Sequence, residues 1–470
     1  MSRISKDFTI AVVGGGMVGL ACAIPLSRAG LNVTIFESAK EFGEVGAGVG
    51  LARNGLRALK GLGLLDPIYS RLDAQSNHSF EGFEFLSGVG DHKSVFMYPT
   101  KPDELRISMY RPAYMSAVLP LLDPSIVQFG KRCILVTKPS ASPPPPPPPS
   151  PTSTTDSESE LMGGQNLRPR LTTLHFSDGS TFTADLVIGA DGVKSVTRKY
   201  ITGEENPHLG YTGHSVYRGL ISMEDLRKAG LDADAIRRPI CWFHRDRHII
   251  TFTVQNDTKL NVAAFGHLEP PITGGITGPW VENVSHEEVL DEYKGWGKDV
   301  QTIVEHMTTP SKWYIHAVSP TLKTFAKDQV VLVGDAAHAM LPHLGAGVNQ
   351  GFEDAYALYR LLTHPRTNLS NLKHVLQMYS DFREPRANMV LNQTAHMGEI
   401  YEEYDGDDQK FVSSTSGIWT PVWRYDIDKE MDAFLVKSDL ELLLGLSNSN
   451  SSVSSEEVGV LETGQLKSLL

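Results

Sequence analysis

A stretch near the start of the chain, Phe8 to Glu37, constrains the fold more than any other: FTIAVVGGGMVGLACAIPLSRAGLNVTIFE. An apolar run from Ile10 to Val13 leads into Gly14-Gly15-Gly16-Met17-Val18-Gly19. A helix-like segment follows to Gly30, and a second apolar run stops at Glu37. The order is strand, glycine turn, helix, strand and acid, with the acid 18 residues after the last glycine. This is the pattern of a βαβ dinucleotide site. Gly14 permits the tight turn, Gly16 lets backbone approach a pyrophosphate, and Gly19 lets the helix pack close on the strands. The free N–H groups and dipole at the helix start favour phosphate charge. Glu37 can accept from a ribose diol and repels a 2′-phosphate. Pro25 is expected to kink the helix, but beyond its phosphate-binding first turn. The motif alone does not separate FAD from NAD.

With 470 residues the chain exceeds one simple core, so two domains plus excursions are expected. Hydrophobic content of 41% and charged content of 21% fit a soluble globular enzyme. A net charge of −12 argues against general affinity for nucleic acid or anionic membranes. Cys22, Cys133 and Cys241 lack metal-ligand spacing and read as buried thiols of a reducing compartment. No apolar stretch reaches the roughly 20 residues of a membrane span, and no leader pattern precedes the first strand. A cytoplasmic protein without a membrane span is expected.

Further along, Gly46, Gly48 and Gly50 form a loop whose backbone can lie flat against a ligand, and Asn54 to Leu65 has amphipathic helical spacing. Phe80 to Tyr98 alternates as strands of a second sheet. Arg111 opens the next helix ahead of Pro112, a place where the helix dipole gives a cation no reason to sit. Ile126 to Val136 and Leu171 to Phe176 read as strands flanking a change in composition. Between them, seven consecutive prolines (Pro143 to Pro149) precede SPTSTTDSESE, which cannot bury a core. A disordered loop expansion over 139–169 is the better reading than a docking site for a proline-recognising partner. Ser177-Asp178-Gly179-Ser180 is a hairpin turn.

Two further strand ends carry chemistry. DLVIGADGVKS (Asp185 to Ser195) is a buried, parallel-type strand that meets a turn at its carboxyl end, and QVVLVGDAAH (Gln329 to His338) repeats the arrangement. After Pro342 the loop Gly345-Ala346-Gly347-Val348-Asn349-Gln350-Gly351 opens a long helix from Phe352 to Leu362, whose start can face a planar ligand. His338 has no partner at metal-ligand spacing and reads as a helix-packing histidine. Residues 211 to 325 alternate as an antiparallel sheet, with a polar helical segment around Ser285 to Met307.

GGGMVG with Glu37, DLVIGADGVKS and VVLVGDAAHAMLPHLGAGVNQGFEDA occur in this order. Together they resemble the single-component FAD-dependent aromatic hydroxylases, the group of p-hydroxybenzoate hydroxylase. GAGVGLARNGLRAL and YRPAYMSAVL point within that group to salicylate hydroxylase and the fungal secondary-metabolism monooxygenases. The resemblance implies an α/β fold, in an α+β composite: a Rossmann-like FAD-binding domain, an inserted antiparallel-sheet substrate domain and C-terminal helices. The FAD-binding parts fall at 1–79, 107–200 and 326–362. The substrate domain falls at 80–106 and 201–325, a helical region at 363–445 and a disordered tail at 446–470.

By resemblance, Gly14, Gly16, Gly19 and Glu37 hold the ADP half of FAD, with Gly50 and Arg111 along the ribityl–pyrophosphate span. Asp335 binds ribityl hydroxyls or pyrophosphate, Gly347 and Val348 offer N–H groups to the flavin ring, and no metal takes part. Asp191 and Gly192 belong to a motif tied to both FAD and NAD(P)H, the latter a transient co-substrate. The implied reaction is hydroxylation of a small aromatic substrate by O₂ through a flavin C4a-hydroperoxide. Arg218, on a substrate-domain strand, matches an arginine that fungal relatives use to hold a phenolate or carboxylate. Their tyrosine is replaced here by Phe252, and His214 or His248 is the expected polar substitute. Epoxidation or ring-altering oxygenation of a polyketide or terpenoid is the alternative, and a non-catalytic flavin-binding scaffold a third.

Overall fold

The structure is a computed structural model, and it describes residues 6–43, 48–71, 82–99, 107–138, 171–203, 208–232, 235–267, 269–273 and 276–443. The proline run, Gly46 and the serine-rich tail lie outside the described residues.

The long apolar runs become the centre of a six-stranded sheet. Its order is Ala326–Lys327, Val330–Leu332, Leu186–Gly189, Thr9–Val13, Asn32–Phe36 and Val127–Gln128. Every junction is parallel except the one between Ala326–Lys327 and Val330–Leu332. Strands buried on both faces have no polar side to alternate with, which is why these runs are continuously apolar. In register, Val13 pairs with both Phe36 and Gly189, and Gly189 with Leu332. The strand ends therefore line up, and the residues just past them, Gly14, Glu37, Asp191 and Asp335, emerge along one edge. That edge is where open α/β sheets bind ligands.

A nine-stranded sheet forms the second layer. Its path runs Val281–Asn283, Ser311–Ala317, Gly210–Ser222, Lys259–Phe265, Arg247–Val254, Ile240–His244, Gly82–Ser87 and Ser94–Pro99. The ninth strand, Ile272–Thr273, pairs with the long Gly210–Ser222 strand. All junctions are antiparallel save that of Ile240–His244 with Gly82–Ser87. One face packs Tyr217, Ile221, Leu260, Val262 and Ala264 against Val289, Val300 and Ile303. These come from two helices, His286–Glu292 and Lys298–Glu305, where one helical segment was expected. The opposite face packs Phe85, Cys241 and Phe243 against Val390 and Met397 of the long helix Leu372–Glu402, and against Leu344 and Ala346.

One expectation fails. Ile126 to Val136 is not a single strand: Val127–Gln128 joins the parallel sheet and Cys133–Thr137 a separate three-stranded sheet. Gly130, at φ +69°, turns the chain between them in a conformation other residues avoid. The amphipathic segment after Asn54 likewise ends early, as the helix Arg53–Gly61, followed by Leu65–Arg71. Pro25 lies inside the helix Met17–Arg28 without ending it. Residues Met1–Ile427 form one compact unit and Asp428–Leu470 a second, whose described part is helical to Leu443.

Candidate flavin and substrate site

The glycine turn has the geometry its sequence predicts. Gly14 sits at φ +104°, and a Cβ there would lie 2.3 Å from the Ala190 carbonyl oxygen. A Cβ on Gly19 would lie 2.0 Å from the Gly14 carbonyl oxygen, so the helix rests directly on the turn. The first rung of that helix is Leu20 N–H to the Gly16 oxygen at 2.9 Å, and no side chain caps its start. The N–H groups of Met17, Val18 and Gly19 are thus left without a helical partner, as an anion site requires. Glu37 takes Gly15 N–H on Oε2 and Ala39 N–H on Oε1, both at 2.8 Å. The carboxylate is thereby held in place, with acceptor capacity on Oε2 left for a ribose hydroxyl.

Arg111 begins the helix Arg111–Val118, and its guanidinium lies 3.9 Å from where a Gly16 Cβ would be. A cation with no dipole reason to be there thus stands beside the pyrophosphate turn. Gly50 lies in the strand Gly48–Leu51, which pairs with Ile107–Tyr110, and space in front of its Cα is open.

Asp335 follows Gly334 (φ +59°) and starts a single helical turn. Its side chain is exposed to open space at the carboxyl edge of the sheet, with protein packed around it. Burial pushes its carboxyl pKa up, opposed by the charges of His338, Arg111 and Arg198. Its Oδ1 lies 4.0 Å from where a Gly347 Cβ would be, directly before the helix Gly347–Leu362. That helix also has no side-chain cap, and its first rung is Gln350 N–H to the Ala346 oxygen. Gly347 and Val348 therefore present free N–H groups beside Asp335.

Several residues that hold this arrangement escaped the sequence reading. Asn349 donates to the carbonyls of Gly50 (3.1 Å) and Gly345 (2.9 Å) and accepts from Ala52 N–H (3.2 Å), tying the Gly50 strand to the glycine loop. Arg198, a buried side chain, donates to the carbonyls of Val193 and Ala336 and so joins the second strand end to the third. Asp354 accepts from Gly334 N–H at 2.8 Å and from His338 Nε2 at 2.7 Å, and receives Arg383 Nε at 2.8 Å. His338 is thus a packing histidine, as expected. Arg383 and Arg386 also hold Glu353. Burial works against the Glu353 carboxylate, but the charges of Arg386 and Arg383 outweigh it and keep its pKa below the usual range. The GVNQGFEDA spelling contained this signal: two adjacent acids inside a buried helical run need buried cations.

Asp191 behaves differently from a ligand residue. Its carboxylate accepts from Ser195 and Thr197 hydroxyls and from the N–H groups of Val196 and Thr197, at 2.6–3.0 Å. It braces its own loop against the start of the helix Val196–Thr202, leaving Gly192 (φ +73°) with open space before it.

Arg218 lies on the Gly210–Ser222 strand, opposite Ala263 and Ser311. Its guanidinium carbon stands 5.0 Å from the Trp313 ring centre. Among the described residues no carboxylate pairs with it, and its Nε has no partner. Burial without a counter-charge lowers its pKa. The face it shares with Asn261 and Phe252 meets the Gly48 strand: a Cβ on Gly48 would lie 2.6 Å from the Phe252 ring and 2.9 Å from Asn261. The expected histidine partners stand elsewhere. His214 bonds Glu402 at 2.8 Å, and His248 is stacked between Phe265 and Tyr401 at 4.0 and 4.1 Å, in the row of Val216. His343, between His214 and His248 at 5.2 Å from each ring, has no partner for either nitrogen among the described residues. Burial drives the pKa values of His248 and His343 well below the usual histidine range.

The uncapped helix starts, the held acid, the paired glycine turns and the open-facing Asp335 fit FAD, and together with the fold they define a flavoprotein oxidoreductase. Residues 150–394 match the family model described as FAD binding domain, and residues 9–126 the model described as FAD dependent oxidoreductase. The chain is 34% identical over 445 residues to a salicylate hydroxylase of Pseudomonas putida, covering 92% of this chain and 95% of that protein. It is 29% identical over 444 residues to 6-methylsalicylate 1-monooxygenase of Aspergillus terreus, covering 91% of each. A solved salicylate hydroxylase substrate complex superposes with a TM-score of 0.72 at 29% identity, over 91% of this chain and 98% of that one. The chain belongs to the FAD-dependent aromatic hydroxylase family, alongside the salicylate hydroxylases. Its cofactor is FAD, and no helix among the described residues is long and apolar enough to cross a membrane.

Proposed function

We propose that this enzyme hydroxylates a phenolic or aromatic-acid substrate, salicylate-like or polyketide-derived, with NAD(P)H as electron donor and O₂ as oxygen source. The observation that carries this reading is Arg218: a half-buried guanidinium with a buried, unpartnered Nε and no counter-ion among the described residues, on the sheet face that meets the Gly48 strand. A buried charge left unpaired by its own chain is costly, and a substrate anion removes that cost. The guanidinium stays charged at any working pH and can fork to a carboxylate or hold a phenolate. Holding the phenolate raises the electron density of the ring, which is what attack on an electrophilic oxygen needs.

FAD, when bound, supplies the two-electron chemistry and the activation of O₂. The chain's own residues provide the rest. The free N–H groups after Gly16 take the pyrophosphate with Arg111 beside them, and Glu37 takes the adenosine ribose. Gly50 borders the ribityl–pyrophosphate span. Asp335 would take ribityl hydroxyls or pyrophosphate, and the N–H groups of Gly347 and Val348 would stabilise negative charge on the ring system. Phe252 and Ile250 lie on the Arg218 face of the sheet, where their apolar side chains would exclude water from the site.

The test is a panel of phenolic acids given to FAD-loaded protein, with NADH and NADPH oxidation, peroxide release and product followed together. Stimulated oxidation with a hydroxylated product supports the reading. Oxidation that yields only peroxide with every acid contradicts it. The homology to 6-methylsalicylate 1-monooxygenase supports a methyl-substituted salicylate as well as salicylate, and the panel therefore includes alkyl-substituted salicylates.

A further inference from the structure

We propose that Asn261 is a second substrate anchor: its carboxamide N–H group donates to a ring oxygen of an aromatic acid whose carboxylate lies on Arg218. The inference rests on the function proposed above and narrows its substrate to an acid bearing a second acceptor oxygen.

Asn261 sits in the strand Lys259–Phe265 and is only 7% exposed. Its Oδ1 accepts the Gly48 N–H at 3.0 Å. A backbone donor fixes which end of the amide is oxygen, so the other end is necessarily the NH₂ group. That group makes no hydrogen bond among the described residues and is not sealed off from open space, so it can reach a ligand. Propensity gives no reason for an asparagine in a central strand, where it is disfavoured.

The register places Asn261 relative to Arg218. Arg218 pairs with Ala263, and Asn261 pairs with Leu220 and with Phe252. Arg218 and Asn261 are therefore diagonal neighbours on one sheet face, about 7–8 Å apart along the backbone. Gly48 is what brings the flavin-side strand down onto this face, since a side chain there would collide with Phe252 and Asn261. The pair offers donors only: a guanidinium has no acceptor, and the single amide oxygen is taken by Gly48. Such a site matches a ligand with two acceptor groups on one aromatic ring, a carboxylate and a phenolate or carbonyl oxygen, which the long Arg218 side chain and Asn261 approach from neighbouring positions. Donation to the ring oxygen favours its deprotonated form. Phe252 has no hydroxyl to contribute, and Asn261, beside it, supplies the missing polar contact.

The experiment measures dissociation constants of salicylate and benzoate for FAD-loaded protein by the change in flavin absorbance or fluorescence. Three proteins are compared: the wild type, Asn261→Asp and Asn261→Leu. Asp keeps an acceptor for Gly48 N–H but adds a charge that opposes both carboxylates alike, so the ratio of the two dissociation constants, rather than either value, reads the donor. The wild type should prefer salicylate over benzoate by about tenfold or more, the worth of one buried hydrogen bond. Asn261→Asp should abolish that preference while bound FAD per chain stays unchanged. Asn261→Leu should bring both acids to similar dissociation constants. If both variants keep the wild-type preference, or if the wild type shows none while binding both acids, the proposal is overturned and the function proposed above still stands. If the wild type binds neither acid, this proposal is overturned, while the function reading stands or falls with the wider panel of acids.

Discussion

Replacing Arg218 by Met separates a substrate-binding role from a structural one, because the two predict opposite effects on stability. Among the described residues the guanidinium has no carboxylate partner, its Nε is unsatisfied, and burial lowers its pKa. An unsatisfied buried polar group costs about 1–3 kcal/mol. Against this stands the contact with Trp313, at 5.0 Å from ring centre to guanidinium carbon, worth about 1–2 kcal/mol when desolvated. Met retains the apolar stem and fills similar volume, so unfolding stability of the substrate-free protein should stay level or rise by about 1 kcal/mol. Binding should move the other way. Losing a buried charged partner costs a ligand anion about 2–4 kcal/mol, which is about 30- to 700-fold in affinity. Urea unfolding of the FAD-loaded protein gives the first quantity, and titration with the best acid of the panel gives the second. A variant destabilised by more than about 2 kcal/mol that also loses FAD would refute the reasoning and make Arg218 a structural cation.

Three other perturbations test how the chain builds the site. Gly19→Ala places a methyl against the Gly14 carbonyl, 2.0 Å from where its Cβ would stand, so flavin content after purification should fall to a small fraction of wild type. Arg383→Met leaves the buried carboxylates of Glu353 and Asp354 undercompensated; chemical denaturation should show a loss of about 3–5 kcal/mol, with weaker FAD binding through the Gly334 turn. His248 and His343 have pKa values held down in the fold by burial, while the unfolded chain binds protons near pH 6.5. Their contribution is therefore fully present above about pH 6.5 and is lost as pH falls below it, by about 1.4 kcal/mol per unit for each ring. Denaturation between pH 7 and pH 5 should show this slope, and His248→Phe should reduce it.

Much of this was legible in the chain because local rules carried it. The Gly14–Glu37 unit, the strands ending before Asp191 and Asp335, and the uncapped start at Gly347 each follow from a short window: apolar run, glycine, charge. Residues whose roles depend on partners hundreds of positions away were not legible. Arg198 and Asn349 look ordinary in sequence, and only the alignment of strand ends shows that they pin the loops together. Arg383 lies 30 residues past Glu353 on another helix. The long helical run from Leu372 carries no mark that one of its cations is buried. The large sheet hid its order for a similar reason, since alternation reports which face is buried but not which strand is the neighbour. The parallel contact of Ile240–His244 with Gly82–Ser87 joins segments that the flavin-binding part separates. Gly130 shows the converse case: one residue at positive φ sends an apparently continuous strand into two sheets. Asn261 was passed over because a polar residue in an alternating strand reads as solvent-facing until Gly48 is found against it.

In the proposed reaction, oxygen from O₂ enters an aromatic acid held at Arg218. This is tested most directly by turnover of the FAD-loaded enzyme with NAD(P)H under ¹⁸O₂, followed by mass spectrometry of the aromatic product. The account predicts one ¹⁸O atom per product molecule, in a new hydroxyl group, with product formation falling sharply in Arg218→Met. A product whose new oxygen comes from water, or substrate-stimulated oxidation that yields peroxide and unchanged acid, would contradict it.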